Sequence, residues 1–416
     1  LALLATARRN PLSETPRLIV ADWLEEHGDE SDRNRATFIR LQCELSQSEH
    51  IGRRRRRLTE AEQCLLQKWE NAWLGGLAEI EDKEVGYTRG LIDLQIDAPT
   101  LLQRGLRNVL ATEQAAWVDE VRLTKINRAL LERFVQMPFA TSIGGLILNN
   151  AGLDANDCQI IAASEKLTHL HTLDMNYNRI GNEGVIALSG SKHLGNLHHL
   201  DLWICGIEAE GAHALAAMRS EARPYWLNLG GNNIGEEGMR ALARSPLLEK
   251  VQRLLLWGNS IGNTGLAHLV RGPYLQHIEE LYLNENGLSM RGARALAQWE
   301  PLNRIRTLSI WRNRLRPRGG AILASAPMSQ MRMLLLSMNN ISDEGVIALA
   351  SNPTLRNLHS LDLSRNRITD QGVAELLDSP YLVSLRNLDL RENTISPALM
   401  NACEARYEMV VRDEVP

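Results

Sequence analysis

Four groups of residues in this sequence are spaced as chemistry would need them. His171 and His198 stand 27 residues apart, with His199 beside the second, and two imidazoles on neighbouring strands can share a metal ion. No third ligand is evident, so exposed histidine is the default reading and no metal or other cofactor is assigned. Asp174 and Asp201, and again Asp362 and Asp389, recur at that same spacing of 27. Carboxylates side by side repel unless a cation or a basic partner compensates; the plainer reading is a solvated polar surface. Arg53, Arg54, Arg55, Arg56 and Arg57 form an unbroken run. It would give a polyanion a local, salt-sensitive contact, or else be a linker or helix start paired with Glu44, Glu49, Glu60 and Glu62. No aromatic residue interleaves it, which leaves nucleic-acid stacking unsupported. Finally, Trp203, Trp257 and Trp311 recur at twice the histidine spacing.

The elements that must position these residues follow from one repeat. The anchors Leu146, Leu173, Leu200, Leu227, Leu254, Leu281, Leu308, Leu334, Leu361 and Leu388 are 27 residues apart, except for 26 between Leu308 and Leu334. Apolar residues three before and two after each anchor give the period of two that marks a strand. Five residues after the anchor stands Asn, from Asn178 to Asn393, with Cys205 once and Ala151 as the only break. A buried amide there can bond the backbone groups that the strand leaves unpaired. A Gly followed four residues later by Leu, flanked by Ala as in Gly238-Met-Arg-Ala-Leu-Ala243, predicts a short helix with one inward stripe.

Composition fits such a chain. Of 416 residues, 44% are hydrophobic and 23% charged, which excludes a disordered, collagen-like or coiled-coil protein. The net charge of -4 offers no global attraction to nucleic acid or anionic membrane. No run reaches the roughly 18 apolar residues of a membrane span. The five cysteines form no C-x-x-C pair, so a reducing, cytoplasmic compartment is expected. Leu1 to Arg9 is too short for a signal peptide and lacks an initiator Met, so an export signal upstream of residue 1 stays open. The 9 Trp against 3 Phe are unusual for a core.

Strand, Asn turn, short helix and return loop at this period resemble the leucine-rich repeat, in its ribonuclease-inhibitor-like class. The resemblance covers residues 118–395, with a degenerate unit at Val118-Asp-Glu-Val121-Arg-Leu123 and a C-terminal cap over 396–416. It implies an α/β horseshoe solenoid with a parallel sheet on the concave face and helices on the convex face, which needs a cap at each end. Residues 1–76 read as a small all-α domain, with helices from a Thr15 cap and Pro16 to His27, over 32–49, and from a Thr59-x-x-Glu62 capping box to before Gly75. The stretch from Arg17 through Asp22-Trp23 to Gly28-Asp29, with Arg35-Ala-Thr-Phe38-Ile39-Arg40, resembles the repeat-companion domain of planctomycete-type bacteria, whose role is undefined. Residues 77–117 then lead into the solenoid as a cap.

With strand positions one, four and six inward, positions three, five, seven and eight face the concave surface. That places Tyr177, Trp203, Trp226, Arg253, Trp257, Tyr282, Trp311 and Arg312 on one face, with Ile204, Leu255 and Leu335. Trp, Tyr and Arg are the residues enriched where proteins bind proteins, whereas rings can also merely cover neighbouring leucines. No nucleotide, zinc-protease or serine-hydrolase motif is present. The expectation is therefore a monomeric, non-catalytic scaffold binding a protein partner on the concave face. GTPase activation, known for one branch of this repeat class, is the alternative by fold analogy alone.

Overall fold

The structure is a computed structural model that describes residues 2–11, 13–46, 53–103, 105–218 and 223–412, the side chain of Arg53 excepted. The chain forms two compact units, Leu1–Met175 with Ser191–Leu197, and Asn176–Gly190 with His198–Pro416.

The first unit opens with four helices, α1 (Ala2–Arg9), α2 (Thr15–His27), α3 (Glu30–Ser46) and α4 (Arg53–Leu74). Helix α3 starts two residues earlier than the sequence predicts, because Asp29 and Asp32 cap reciprocally: each side chain accepts the other's backbone N–H, at 3.3 and 3.0 Å. Helix α4 starts six residues before Thr59, whose capping box is therefore helix interior. Arginine is a good helix former, and Arg56 pairs with Glu60 one turn on at 2.9 Å. The predicted end of α3 at Glu49 lies outside the described residues. Leu4, Val20, Leu24, Ile39 and Cys43 bury one face of α1 to α3 around Leu91 of β2 (Leu91–Asp97). Strand β2 pairs antiparallel with β1 (Lys83–Thr88) and parallel with β3 (Val118–Thr124). Parallel strands β4 (Gly145–Ile147) and β5 (Thr172–Asp174) follow.

The second unit holds nine parallel strands in sequence order: β6 (His199–Asp201), β7 (Trp226–Asn228), β8 (Arg253–Leu255), β9 (Glu280–Tyr282), β10 (Thr307–Ser309), β11 (Met333–Leu335), β12 (Ser360–Asp362), β13 (Asn387–Asp389) and β14 (Met409–Val411). The anchor leucines sit in register, Leu227 beside Leu254 and Leu254 beside Leu281, and are fully buried. From β6 to β13 a helix leads from each strand to the next. These helices pack closely: a Cβ on Gly319 would lie 3.0 Å from Met290 Cα of the preceding helix.

The asparagine column works as a ladder. Asn259 Nδ2 donates to the carbonyls of Leu229 and Leu256, at 2.8 and 3.0 Å, and so ties its own strand to the one before. Asn286 Oδ1 accepts the N–H groups of Asn259 and Ile261 at 3.1 and 3.3 Å. Asn232 does the same for Cys205 and Ile207, both at 3.0 Å. After the one 26-residue spacing, Asn339 still donates to Ile310 and Leu336, but its Oδ1 has no partner among the described residues.

The residue just before that column, at position eight, is left-handed throughout, also before Ala151 and Cys205. Asn150, Tyr177, Ile204, Gly231, Gly258, Glu285, Arg312, Met338, Arg365 and Glu392 all have φ between 50° and 65°. Glycine and asparagine adopt this freely; a β-branched Ile204 does so at a cost of about 1–2 kcal/mol. Replacing Asn259 with Ala removes its ladder bonds and leaves buried carbonyls and amides unpaired, so a loss of about 2–4 kcal/mol is expected in urea unfolding. The end rung Asn393, which is only half-buried, is expected to lose less on the same change.

Candidate functional site

On the sheet face of the second unit the aromatic residues form two groups. At the carboxyl ends of the strands, Tyr177 meets Trp203 edge-on with ring centroids 4.4 Å apart, and Trp203 meets Trp257 at 5.5 Å and 69°. Trp203 and Trp257 are two repeats apart, which a sheet separates by roughly 10 Å, so the intervening repeat must make room. It does so with Gly230 and Gly231. A Cβ on Gly230 would lie 2.2 Å from Trp257 Nε1, and one on Gly231 would lie 2.5 Å from Ile204 Cγ1. Tyr177 and Ile204 are 45% and 37% exposed, and both stand at the left-handed position eight.

The second group runs across the strand starts. His199 packs on Trp226 with centroids 3.8 Å apart. The guanidinium of Arg253 sits between Trp226 and Tyr282, at 5.0 and 5.6 Å from their ring centres, and pairs with Glu280 at 3.0 Å. The Tyr282 hydroxyl donates to Glu280 at 3.0 Å, and burial raises the Tyr282 pKa above the ordinary phenol value. The indole N–H groups of Trp203 and Trp226 are shielded from solvent without a hydrogen-bond partner among the described residues. Trp311 stands apart from both groups. It borders a hollow of about 310 Å³ with Leu335, Met338, Asp362 and Arg365, and its neighbour Arg312 pairs with Glu285 at 3.1 Å.

The carboxylates expected as solvated residues are partnered. Asp201 is buried, accepting from Trp203 N and Asn228 Nδ2, each at 3.1 Å, and burial raises its pKa. Asp362 accepts from the Ser364 hydroxyl at 2.7 Å, and Asp389 takes both oxygens to Arg391. In the arginine run, now the first turns of α4, Arg54 pairs with Glu44 and Arg56 with Glu60. Arg55 and Arg57 are exposed with no carboxylate partner among the described residues. Among those residues no group of three or more His, Cys, Asp or Glu could hold a metal ion.

His171 is also unlike the exposed residue expected. In the first unit it is buried, 3.4 Å from Asp119, because Gly144 has no side chain to occupy the space: a Cβ there would lie 2.3 Å from His171 Nε2. Glu120 lies across Gly145 in the same way, 2.6 Å from that residue's would-be Cβ, and Asp93 is its register partner on β2. Burial pushes the Asp93 carboxyl up to about 7 against the pull of the Thr88 hydroxyl, with Glu120 and Asp119 adding to the rise; Glu120 is raised by burial and by Asp119. Only the pairing of two glycines, Gly144-Gly145, signals this nest in the sequence.

Strand, left-handed turn, asparagine rung and helix define a leucine-rich-repeat α/β solenoid, and the comparisons with known proteins agree. The family model "Leucine Rich repeat" matches residues 166–189, 227–243, 274–297, 331–350 and 354–377. The chain is similar in structure to a chain of the Rad7 and Elc1 complex of yeast, with a TM-score of 0.51, 14% identity, and coverage of 88% of this chain and 93% of that one. An internalin (inlF) of Listeria monocytogenes is matched at TM-score 0.37 and 18% identity, over 68% of this chain and 94% of the other. Comparison with curated proteins returns no match. No described helix is long and apolar enough to cross a membrane.

The Asp93 nest carries a pH dependence. An acid whose folded pKa lies above its unfolded value of about 4 holds an extra proton in the folded state between the two, so stability falls as pH rises from about 4 to about 7. The thermal midpoint is expected to be at least about 3 °C higher at pH 5 than at pH 8, and Asp93→Asn to narrow that gap; an unchanged gap would show that Asp93 ionises normally.

Proposed function

We propose that this protein is a non-catalytic scaffold that binds a protein partner on the sheet face of its second unit, through Tyr177, Trp203, Trp226, Trp257, Tyr282 and Trp311, with Arg253 and Arg312 beside them. The observation that carries this reading is the state of Ile204 and Tyr177. Each is a large apolar side chain, more than a third exposed, held in a left-handed conformation. Backbone strain and apolar exposure both oppose stability, and such conflicts concentrate at binding surfaces. Two shielded indole N–H groups without partners add a further cost. The repeat imposes the left-handed turn, but a face built only to cover leucines would not need exposed apolar side chains there.

The ion pairs of Arg253 with Glu280 and Arg312 with Glu285 hold cations already neutralised among half-buried aromatic rings. Such a surface suits an apolar or mixed protein epitope better than a polyanion. Rigidity of the repeat limits the ordering entropy lost on binding.

Two variants separate binding from cover. Trp203→Ser with Trp257→Ser is expected to lose partners captured from the source lysate. Ile204→Gly is expected to gain about 1 kcal/mol of stability, by relieving the left-handed strain, while weakening that same capture. Unchanged capture by both variants would contradict the proposal.

A further inference from the structure

The helices of the second unit carry a reversal of charge that the sheet face does not explain. The residue before the helix glycine reads Glu183, Glu210, Glu237, Thr264, Arg291, Arg318, Glu344 and Gln371 along successive repeats. Glutamate suits this place, in the first turn of a helix, where the macrodipole favours negative charge. Arginine does not, yet two adjacent repeats carry it. Around them the bias widens: residues 287–342 contain nine arginines, no lysine and one acid, Glu300. Arg304, Arg306 and Arg312 are neutralised by Glu300, Glu279 and Glu285. Arg291, Arg294, Arg314, Arg316 and Arg318 are exposed and have no carboxylate partner among the described residues.

These five are brought together by the fold. Arg291 and Arg294 lie on the helix Met290–Ala297, and Arg316 and Arg318 on the helix Arg316–Ala324. The two helices touch at their starts, where Gly319 packs on Met290, and the backbone of Arg314 bridges to Ser289, the cap of the first helix. Arg291 and Arg294 also wall a groove of about 680 Å³ against the helix Gly262–Arg271, with Arg271 opposite and Trp299 among its lining residues.

We propose that this arginine patch is a second interaction surface, which binds a short acidic protein segment. The uncompensated charge of the five, and the placement of Arg291, Arg316 and Arg318 in first helical turns against the dipole, oppose stability, so an anionic partner is the compensation that the fold itself lacks. The extent of the patch sets the class of partner. Glu237 precedes it and Glu344 follows it in the same column, so a nucleic-acid rod laid along the helices would run onto like charge. Two repeats and a groove, at roughly 10 Å per helix, accommodate about six to nine extended residues.

The test is fluorescence anisotropy with a labelled deca-glutamate peptide at low salt. The native chain is expected to bind it, with affinity falling as salt rises. Arg291→Glu with Arg294→Glu and Arg318→Glu is expected to weaken binding at least tenfold. The variant should fold, because glutamate is what other repeats carry at the Arg291 and Arg318 positions, and its thermal midpoint should stay close to the native one, the gain at the two helix starts opposing the acid placed at Arg294 in a last turn. Trp203→Ser, on the sheet face, should leave peptide binding unchanged, which keeps this surface distinct from the one proposed above. Three results would overturn the proposal: no binding by the native chain, equal binding by the charge-reversed variant, or tighter binding of a single-stranded oligonucleotide of the same charge.

Discussion

The second unit depends on one interaction, the asparagine amide that joins each repeat to the one before it. A parallel sheet with three-residue strands satisfies few of its own backbone groups, and the chain must leave each strand within a few residues to reach its helix. Asn232, Asn259 and Asn286 resolve both problems, bonding carbonyls of two strands and amides of the preceding turn. The residue before this column takes a left-handed conformation in every unit from Asn150 to Glu392, also where Ala151 or Cys205 replaces the amide, so the turn out of the strand itself sets it. The turn thus dictates where strain is placed, and that place borders the sheet face.

The rest of the site is arranged around this constraint. Position seven alternates between large and small, Trp203, Gly230, Trp257, Asn284 and Trp311, so that a ring can lie over a neighbour that has little side chain. Gly231 accepts the left-handed turn without strain and leaves space for Ile204. Where the repeat could have used glycine or asparagine again, it carries Tyr177 and Ile204, both exposed. The helices show the same logic in charge: glutamate is the stabilising residue and arginine appears in two adjacent repeats only.

Much of this was legible in the sequence. The anchors and the asparagine column follow from periods of 27 and two, because parallel strands in register convert equal spacing into adjacency. Contacts between repeats were not legible. Gly230-Gly231 reads as a turn until Trp257 is seen lying on it, and His171 reads as exposed until Gly144 is seen making space beside Asp119. Asp201 reads as a solvated carboxylate, yet Asn228 one strand on draws it into a buried bond. The start of helix α4 has two signals in the sequence, the Thr59 capping box and the arginine run as a helix start paired with acids; the pairs of Arg54 with Glu44 and Arg56 with Glu60 decide for the second.

If the sheet face, and not apolar exposure as such, binds a protein, cross-linking depends on position. A photo-crosslinking residue placed at Tyr177 on that face, and in a second variant at Ile186 on the helix Gly181–Ser189, tests it directly, since the two side chains are 45% and 44% exposed. A discrete cross-linked protein from position 177 and none from position 186 is the expected result. Equal cross-linking at both, or none at position 177 while 186 reacts, would contradict the account.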